Sequence, residues 1–265
     1  MSLVQPRVSK PLSLLLLALS IIALSASNAA AQPAKPTIVL VHGGWADASS
    51  WNPVAARLQR GGYTVIAPAN PLRGVKTDSE YLKSVLSSIS GPIVLVGHSY
   101  GGFVMTDAAT GDPNVKALVY IAAFAPEEAE TLGEVLARNP GSEVGGPNLL
   151  LRPYPAGTDV YINPADFHRV FCADLPASQS ALMATEQRPI AAAALAEPSS
   201  APAWKTVRSW YMVASQDHAI PPATERFMAK RAHSVTVEVK SSHVAMLSQP
   251  AATTKLILGA VHATG

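Results

Sequence analysis

Short apolar runs alternate with helix-length stretches along most of this chain, and that alternation restricts the fold more than any other feature. Thr37-Ile38-Val39-Leu40-Val41 is apolar or β-branched at every position, as a strand buried on both faces must be. The pattern predicts a helix over 50–60, with Ser50 as its cap and Gly61-Gly62 as its stop. A strand over 63–68, a helix over 78–88, a strand over 92–96, a helix over 99–110 and a strand over 115–122 follow. The alternation returns with a strand over 209–214, a helix over 223–231, a strand over 235–239 and a helix over 251–261. Strict alternation of this kind predicts an α/β fold, a mostly parallel doubly wound sheet with helices on both faces.

Between 126 and 203 the alternation fails. This Ala- and Pro-rich stretch holds helix-like pieces at 131–138, 164–174 and 177–186. It reads as an inserted helical cap over the carboxyl edge of the sheet, with decorative surface helices as the alternative.

The first 31 residues have the order of a secretory leader. Arg7 and Lys10 precede an apolar run over 11–26, and Ala29-Ala30-Ala31 offers a small-residue cleavage site after Ala31. The run is short for an α-helix crossing a ~30 Å hydrocarbon core. The expected product is a domain over 32–265, secreted or periplasmic, without a stable membrane anchor. No cysteine lies near the cleavage site and no paired arginines precede the apolar run, which argues against a lipoprotein or twin-arginine route. The leader carries two of the twenty basic residues and none of the eighteen acidic ones, leaving eighteen of each. That balance excludes the electrostatic footprint of a nucleic-acid binder. Cys172 is the only cysteine, so no intrachain disulfide forms, and its apolar neighbours suit an inert buried thiol.

Gly97-His98-Ser99-Tyr100-Gly101 lies between an apolar strand and a helix. A sharp strand-to-helix turn lifts a serine oxygen into a cleft, and its close backbone approaches require glycine on either side. Ser99 is therefore the candidate nucleophile. The backbone N–H of Tyr100, at the helix N-terminus, is positioned to hold an oxyanion. A second donor is expected from His42-Gly43-Gly44-Trp45, after the first strand, with Gly44 the choice and Trp45 next in line.

A serine hydroxyl needs a base. Of seven histidines, His243 follows the strand over 235–239 and so lies at the same sheet edge as Ser99, with His218 the runner-up. Asp217 follows the strand over 209–214, before Pro221-Pro222, and is the candidate acid that orients the imidazole. Asp107, Asp112, Asp166 and Asp174 read as solvated by default. Trp45, Phe103, Trp210 and Met246 are candidates for an apolar substrate pocket, or ordinary core. The chain has no H-E-x-x-H, no paired cysteines and no dinucleotide fingerprint after its first strand, so no metal or organic cofactor is expected.

These residues together resemble the α/β-hydrolase superfamily, and within it the small-ester branch of plant methylesterases, hydroxynitrile lyases and many bacterial esterases. The resemblance spans nearly all of 32–265. It is carried by Val39-Leu40-Val41-His42-Gly43-Gly44-Trp45, by Val94-Leu95-Val96-Gly97-His98-Ser99-Tyr100-Gly101-Gly102, and by Ser242-His243-Val244-Ala245-Met246-Leu247. It implies an ester hydrolase acting through an acyl-enzyme on Ser99, with a small ester or lactone as substrate. Two positions depart from the lyases, which resemblance places a threonine at Gly43 and a lysine at Val244. An apolar valine cannot supply the positive charge that a cyanide leaving group calls for. A lyase on the same triad and a non-catalytic ligand-binding member of the fold are the alternatives.

Overall fold

The computed structural model describes residues 1–5 and 35–264. The expected leader, from Arg7 and Lys10 to the cleavage point after Ala31, lies outside the described residues.

Six strands form one parallel sheet. They are β1 (Thr37–Val41), β2 (Val65–Ile66), β3 (Ile93–Ser99), β4 (Val115–Ala123), β8 (Ser209–Ala214) and β9 (Val235–Val239), in the order β2-β1-β3-β4-β8-β9. From β1 the chain first steps outward to β2, then crosses back to β3 on the other side. The seam between β1 and β3 is therefore the switch point at which α/β sheets open a crevice at their carboxyl edge. Helices α1 (Asn52–Arg60), α2 (Val75–Ser87), α3 (Tyr100–Ala108), α7 (Pro222–Arg231), α8 (Ala245–Ser248) and α9 (Pro250–His262) connect and flank the strands. Every residue of β3 and β8 is buried, whereas β9, at the edge, is mostly exposed.

Strand β3 runs further than its apolar run suggests. The helix expected from Ser99 starts one residue later, at Tyr100, because His98 and Ser99 continue the ladder with β4 through Ser99 opposite Ala123, past a register shift. Helix α2 begins at Val75 rather than near Asp78. Its N-cap, Gly74, has no side chain to accept from the first turn. Glu197 does so instead from far along the chain, accepting from the amides of Val75 (2.6 Å) and Lys76 (3.2 Å).

The insert over 126–203 differs most from expectation. Its helices α4 (Leu132–Ala137), α5 (Phe167–Phe171) and α6 (Ala177–Thr185) fall in the anticipated places, and Thr131 and Glu134 close a capping box on α4. It also holds an antiparallel sheet of β5 (Leu149–Tyr154), β6 (Gly157–Ile162) and β7 (Ile190–Ala191), in the order β5-β6-β7. The cap is thus mixed α/β rather than wholly helical. Pro153 within β5 obscures the strand in sequence, and is tolerated because β5 is an edge.

Polar links fasten the insert to the main sheet. The Ala191 amide donates to the Leu72 carbonyl (2.9 Å), and Arg73 spans to Asp159 and the Pro189 carbonyl (both 2.7 Å). Among the described residues no helix is long and apolar enough to cross a membrane.

Candidate active site

Ser99 sits at φ 52°, ψ −126°, a conformation rare for a residue with a side chain. Packing holds it there. A Cβ on Gly97 would lie 2.7 Å from the Gly102 Cα, and one on Gly101 would run into the carbonyl oxygens of Val41 and His42. The first turn of α3 therefore rests directly on the backbones of β1 and β3. Gly43 completes the crowding, since a Cβ there would fall 2.6 Å from the Ser99 Cβ and 3.1 Å from its hydroxyl. A threonine at this position would have to displace the elbow.

The two oxyanion-donor candidates flank this serine. Tyr100 opens α3, where the helix leaves its amide unpaired. Its own phenol is tied away by donating to Asp78 (2.9 Å), and burial together with that carboxylate pushes its ionisation far upward. In the loop after β1, the Trp45 amide donates to the Arg188 carbonyl (2.9 Å), which occupies it and leaves Gly44 as the candidate. His42 shapes that loop. Its Nε2 accepts from the Asn70 amide (2.9 Å), so Nδ1 carries the proton and donates to the Gly43 carbonyl (2.9 Å). Burial lowers its pKa from 6.5 to about 4.

His243 is fully buried, and its Nδ1 lies 2.5 Å from Asp217 Oδ2. The other Asp217 oxygen accepts from the amides of Ala219 (2.6 Å) and Ile220 (2.9 Å), which fixes the carboxylate's direction. The His243 backbone is held from the elbow itself, because His98 Nε2 donates to the His243 carbonyl (3.0 Å). Burial keeps His98 neutral by lowering its pKa well below the usual value. His243 Nε2 is buried and makes no hydrogen bond among the described residues. Phe171, from the cap, packs its ring 5.2 Å from that of His243.

A narrow apolar cavity covers Ser99. Gly44, Trp45 and Tyr100 line its base, and Leu132, Leu136, Val144, Ile190 and Leu195 of the insert form its walls. Its free interior is about 20 Å³, little more than one water molecule occupies. Leu136, Val144 and Leu195 also border an outer cleft of about 440 Å³. These three side chains stand between the two spaces.

The structure thus places Gly44, Trp45, Ser99 and Tyr100 on one cavity, and joins Asp217 and His243 in a buried pair tied to the elbow through His98. It places Phe103, Trp210 and Met246 elsewhere. Phe103 packs on Phe124, Trp210 lies under Arg208, and Met246 is enclosed on α8, so these three candidate pocket residues are core. His218, the runner-up base, points to Glu143 of the insert (2.8 Å). Asp174 is exposed as expected, and it also accepts from the Ser242 amide (3.0 Å) and hydroxyl beside His243. Asp107, by contrast, is buried, accepting from the Ser200 amide (2.9 Å). Cys172 is buried, and burial raises its thiol pKa to about 11, which leaves it inert. The apolar walls of the insert escaped sequence reasoning because none carries a chemical signal.

A family model described as "Alpha/beta hydrolase family" matches residues 38–256. A carbendazim hydrolyzing esterase from Nocardioides sp. (strain SG-4G) is 34% identical over 113 residues, which is 38% of this chain and 47% of that protein, so the match spans about half the relative's length. Among solved structures, polyneuridine aldehyde esterase superposes with a TM-score of 0.73 at 22% identity, covering 85% of this chain and 99% of that one. A pyrethroid hydrolase from Sphingobium faniae JZ-2 gives 0.70 at 21% identity, covering 86% and 98%. At these identities the two structures speak for the fold alone.

Proposed function

The chain belongs to the alpha/beta hydrolase family, and from that premise we propose that it hydrolyses small carboxylic esters through an acyl-enzyme on Ser99. The observation that carries the proposal is the buried Asp217–His243 pair, held through His98 to the elbow of a strained serine beneath an apolar cavity. The Ser99 hydroxyl gives its proton to His243 Nε2, the nitrogen without a partner among the described residues. Oγ then attacks the ester carbonyl, and the amides of Gly44 and Tyr100 receive the negative charge that develops on oxygen. His243 returns the proton to the departing alcohol. Water then attacks the acyl carbonyl as it loses a proton to His243; the acyl–Oγ bond breaks, His243 returns that proton to Ser99 Oγ, and the acid leaves. Asp217 orients the imidazole and balances its charge.

The apolar walls favour an uncharged substrate, and a lactone fits the same chemistry as a linear ester. Esterase and pyrethroid hydrolase are the names borne by the relatives, which supports the ester reading. Cyanohydrin cleavage is disfavoured by buried, apolar Val244 and by the lack of room for a side chain at Gly43. The leader ending at Ala31 supports export, and N-terminal sequencing of protein recovered outside the cytoplasm should then begin at Gln32.

A panel of chromogenic esters and lactones of graded length, run with the wild type and His243→Ala, tests the reading. Turnover of short, uncharged esters that disappears in the variant is expected. Failure to turn over any ester or lactone would refute it.

A further inference from the structure

In the helix that follows Asp217 lies a second buried carboxyl group that the reaction above does not use. Glu225, in the first turn of α7, is fully buried. One of its oxygens accepts from the Ala214 amide at the end of β8 (2.9 Å). The other has no donor among the described residues, and Ala214 also accepts from the Asp217 amide (3.2 Å), so both acidic residues are tied to the same backbone position and the Asp217 charge acts on Glu225.

Among the described residues neither carboxyl forms an ion pair with a lysine or arginine. Asp217 faces Glu225 from the loop after β8, with His243 beyond, and the neutral Tyr211 phenol lies nearby on β8. Arg226, the next residue on α7, turns outward to Glu238 of β9 (2.6 Å). Two ionised carboxylates can only accept, so they cannot bond to each other, and unpaired buried charges of like sign are costly. A single proton placed on the orphaned oxygen turns the repulsive contact into a hydrogen bond and satisfies the unpartnered atom.

We propose that Glu225 is a positioning residue, a neutral carboxylic acid that donates a hydrogen bond to the Asp217 carboxylate and so holds it for His243. This rests on the triad reading of Ser99, Asp217 and His243. Burial and the Asp217 charge both raise the Glu225 pKa well above the ordinary carboxylate range, in keeping with the neutral form.

Two variants and one spectrum test it. Glu225→Gln keeps an acceptor for Ala214 and supplies an amide donor to Asp217. Glu225→Leu supplies neither. Glu225→Gln should hold the acid limb of the kcat/KM profile at its wild-type pH. Glu225→Leu should lose activity by about tenfold or more and move that limb upward by about one pH unit, as Asp217 concentrates its charge on the imidazole. An acid limb displaced to lower pH in Glu225→Gln would mean that a real negative charge had been removed, and would overturn the proposal. So would a Glu225→Leu variant with the wild-type rate and profile. Should Glu225→Leu not fold, the infrared difference spectrum of wild type minus Glu225→Gln at neutral pH decides. A protonated-carboxyl carbonyl band is expected, and its absence overturns the proposal. That band does not depend on turnover, so a chain that shows it yet hydrolyses no ester would sink the ester reading and leave the shared proton standing.

Discussion

The sheet and its insert solve opposite problems. At the carboxyl edge of the sheet, position is fixed by backbone: the Ser99 turn, the glycines that let α3 rest on β1, and imidazoles whose hydrogen bonds set their tautomers. In the insert, short helices and a small antiparallel sheet turn ordinary aliphatic side chains toward Ser99, held by a few polar links. The first region has almost no freedom to change without losing its geometry. The second can exchange one apolar residue for another and alter only the shape of the cavity. On the proposed reading, chemistry resides in the sheet edge and selectivity in the insert.

If that division holds, the largest effect comes from the sheet edge. Asp217→Asn should lower kcat by about 10⁴-fold through the wrong imidazole tautomer, with the amides of Ala219 and Ile220 still accepted by the remaining oxygen. Steady-state kinetics beside thermal unfolding will separate chemistry from stability, and a drop under tenfold would break the assignment.

Acid sensitivity should also originate there. His42 has its folded pKa depressed to about 4 from 6.5, so the unfolded chain binds more protons between those values. The stability that neutral His42 contributes is complete above 6.5 and declines as pH falls toward 4, by about 3 kcal/mol. His98, shifted in the same direction, adds to the decline. Burial raises the Asp107 pKa to about 6, which acts in the opposite sense over the same window, so urea unfolding of wild type beside His42→Asn at several pH values isolates the His42 slope as their difference. A difference that stays level across that window would contradict the reading.

How much of this the sequence disclosed follows the same division. Ser99, Asp217 and His243 each follow a strand whose apolar pattern is unambiguous, so chain order alone placed them on one edge. The cavity walls lie where periodicity fails. Phe103 was a pocket candidate because of its size, yet all nine residues of α3 are buried, and a helix apolar on every side does not reveal which face meets a ligand. Glu197 capping α2 from more than a hundred residues away has no local signature at all. Trp45 was identified, because it immediately follows the oxyanion loop.

Substitutions in the insert should be milder. Glu197→Ala removes both acceptors from the start of α2 and should cost about 1–2 kcal/mol, lowering Tm by about 2–6 °C. Its kcat on a short ester should stay within about twofold, measured on folded enzyme. A kcat collapse would show that the insert does more than shape the cavity.

Val144→Ala widens the passage between cavity and outer cleft. The ratio of kcat/KM for a long-chain over a short-chain ester should rise by about tenfold or less, as competition between the two substrates would reveal. An unchanged ratio would remove Val144 from the passage.

The central claim is that Ser99 is an activated nucleophile. Treatment with a fluorophosphonate, followed by intact mass and peptide mapping, tests it most directly. The account predicts one adduct per chain, on Ser99, absent in Ser99→Ala and slowed in His243→Ala. Stoichiometric labelling at another residue, or ester turnover that survives in Ser99→Ala, would contradict it.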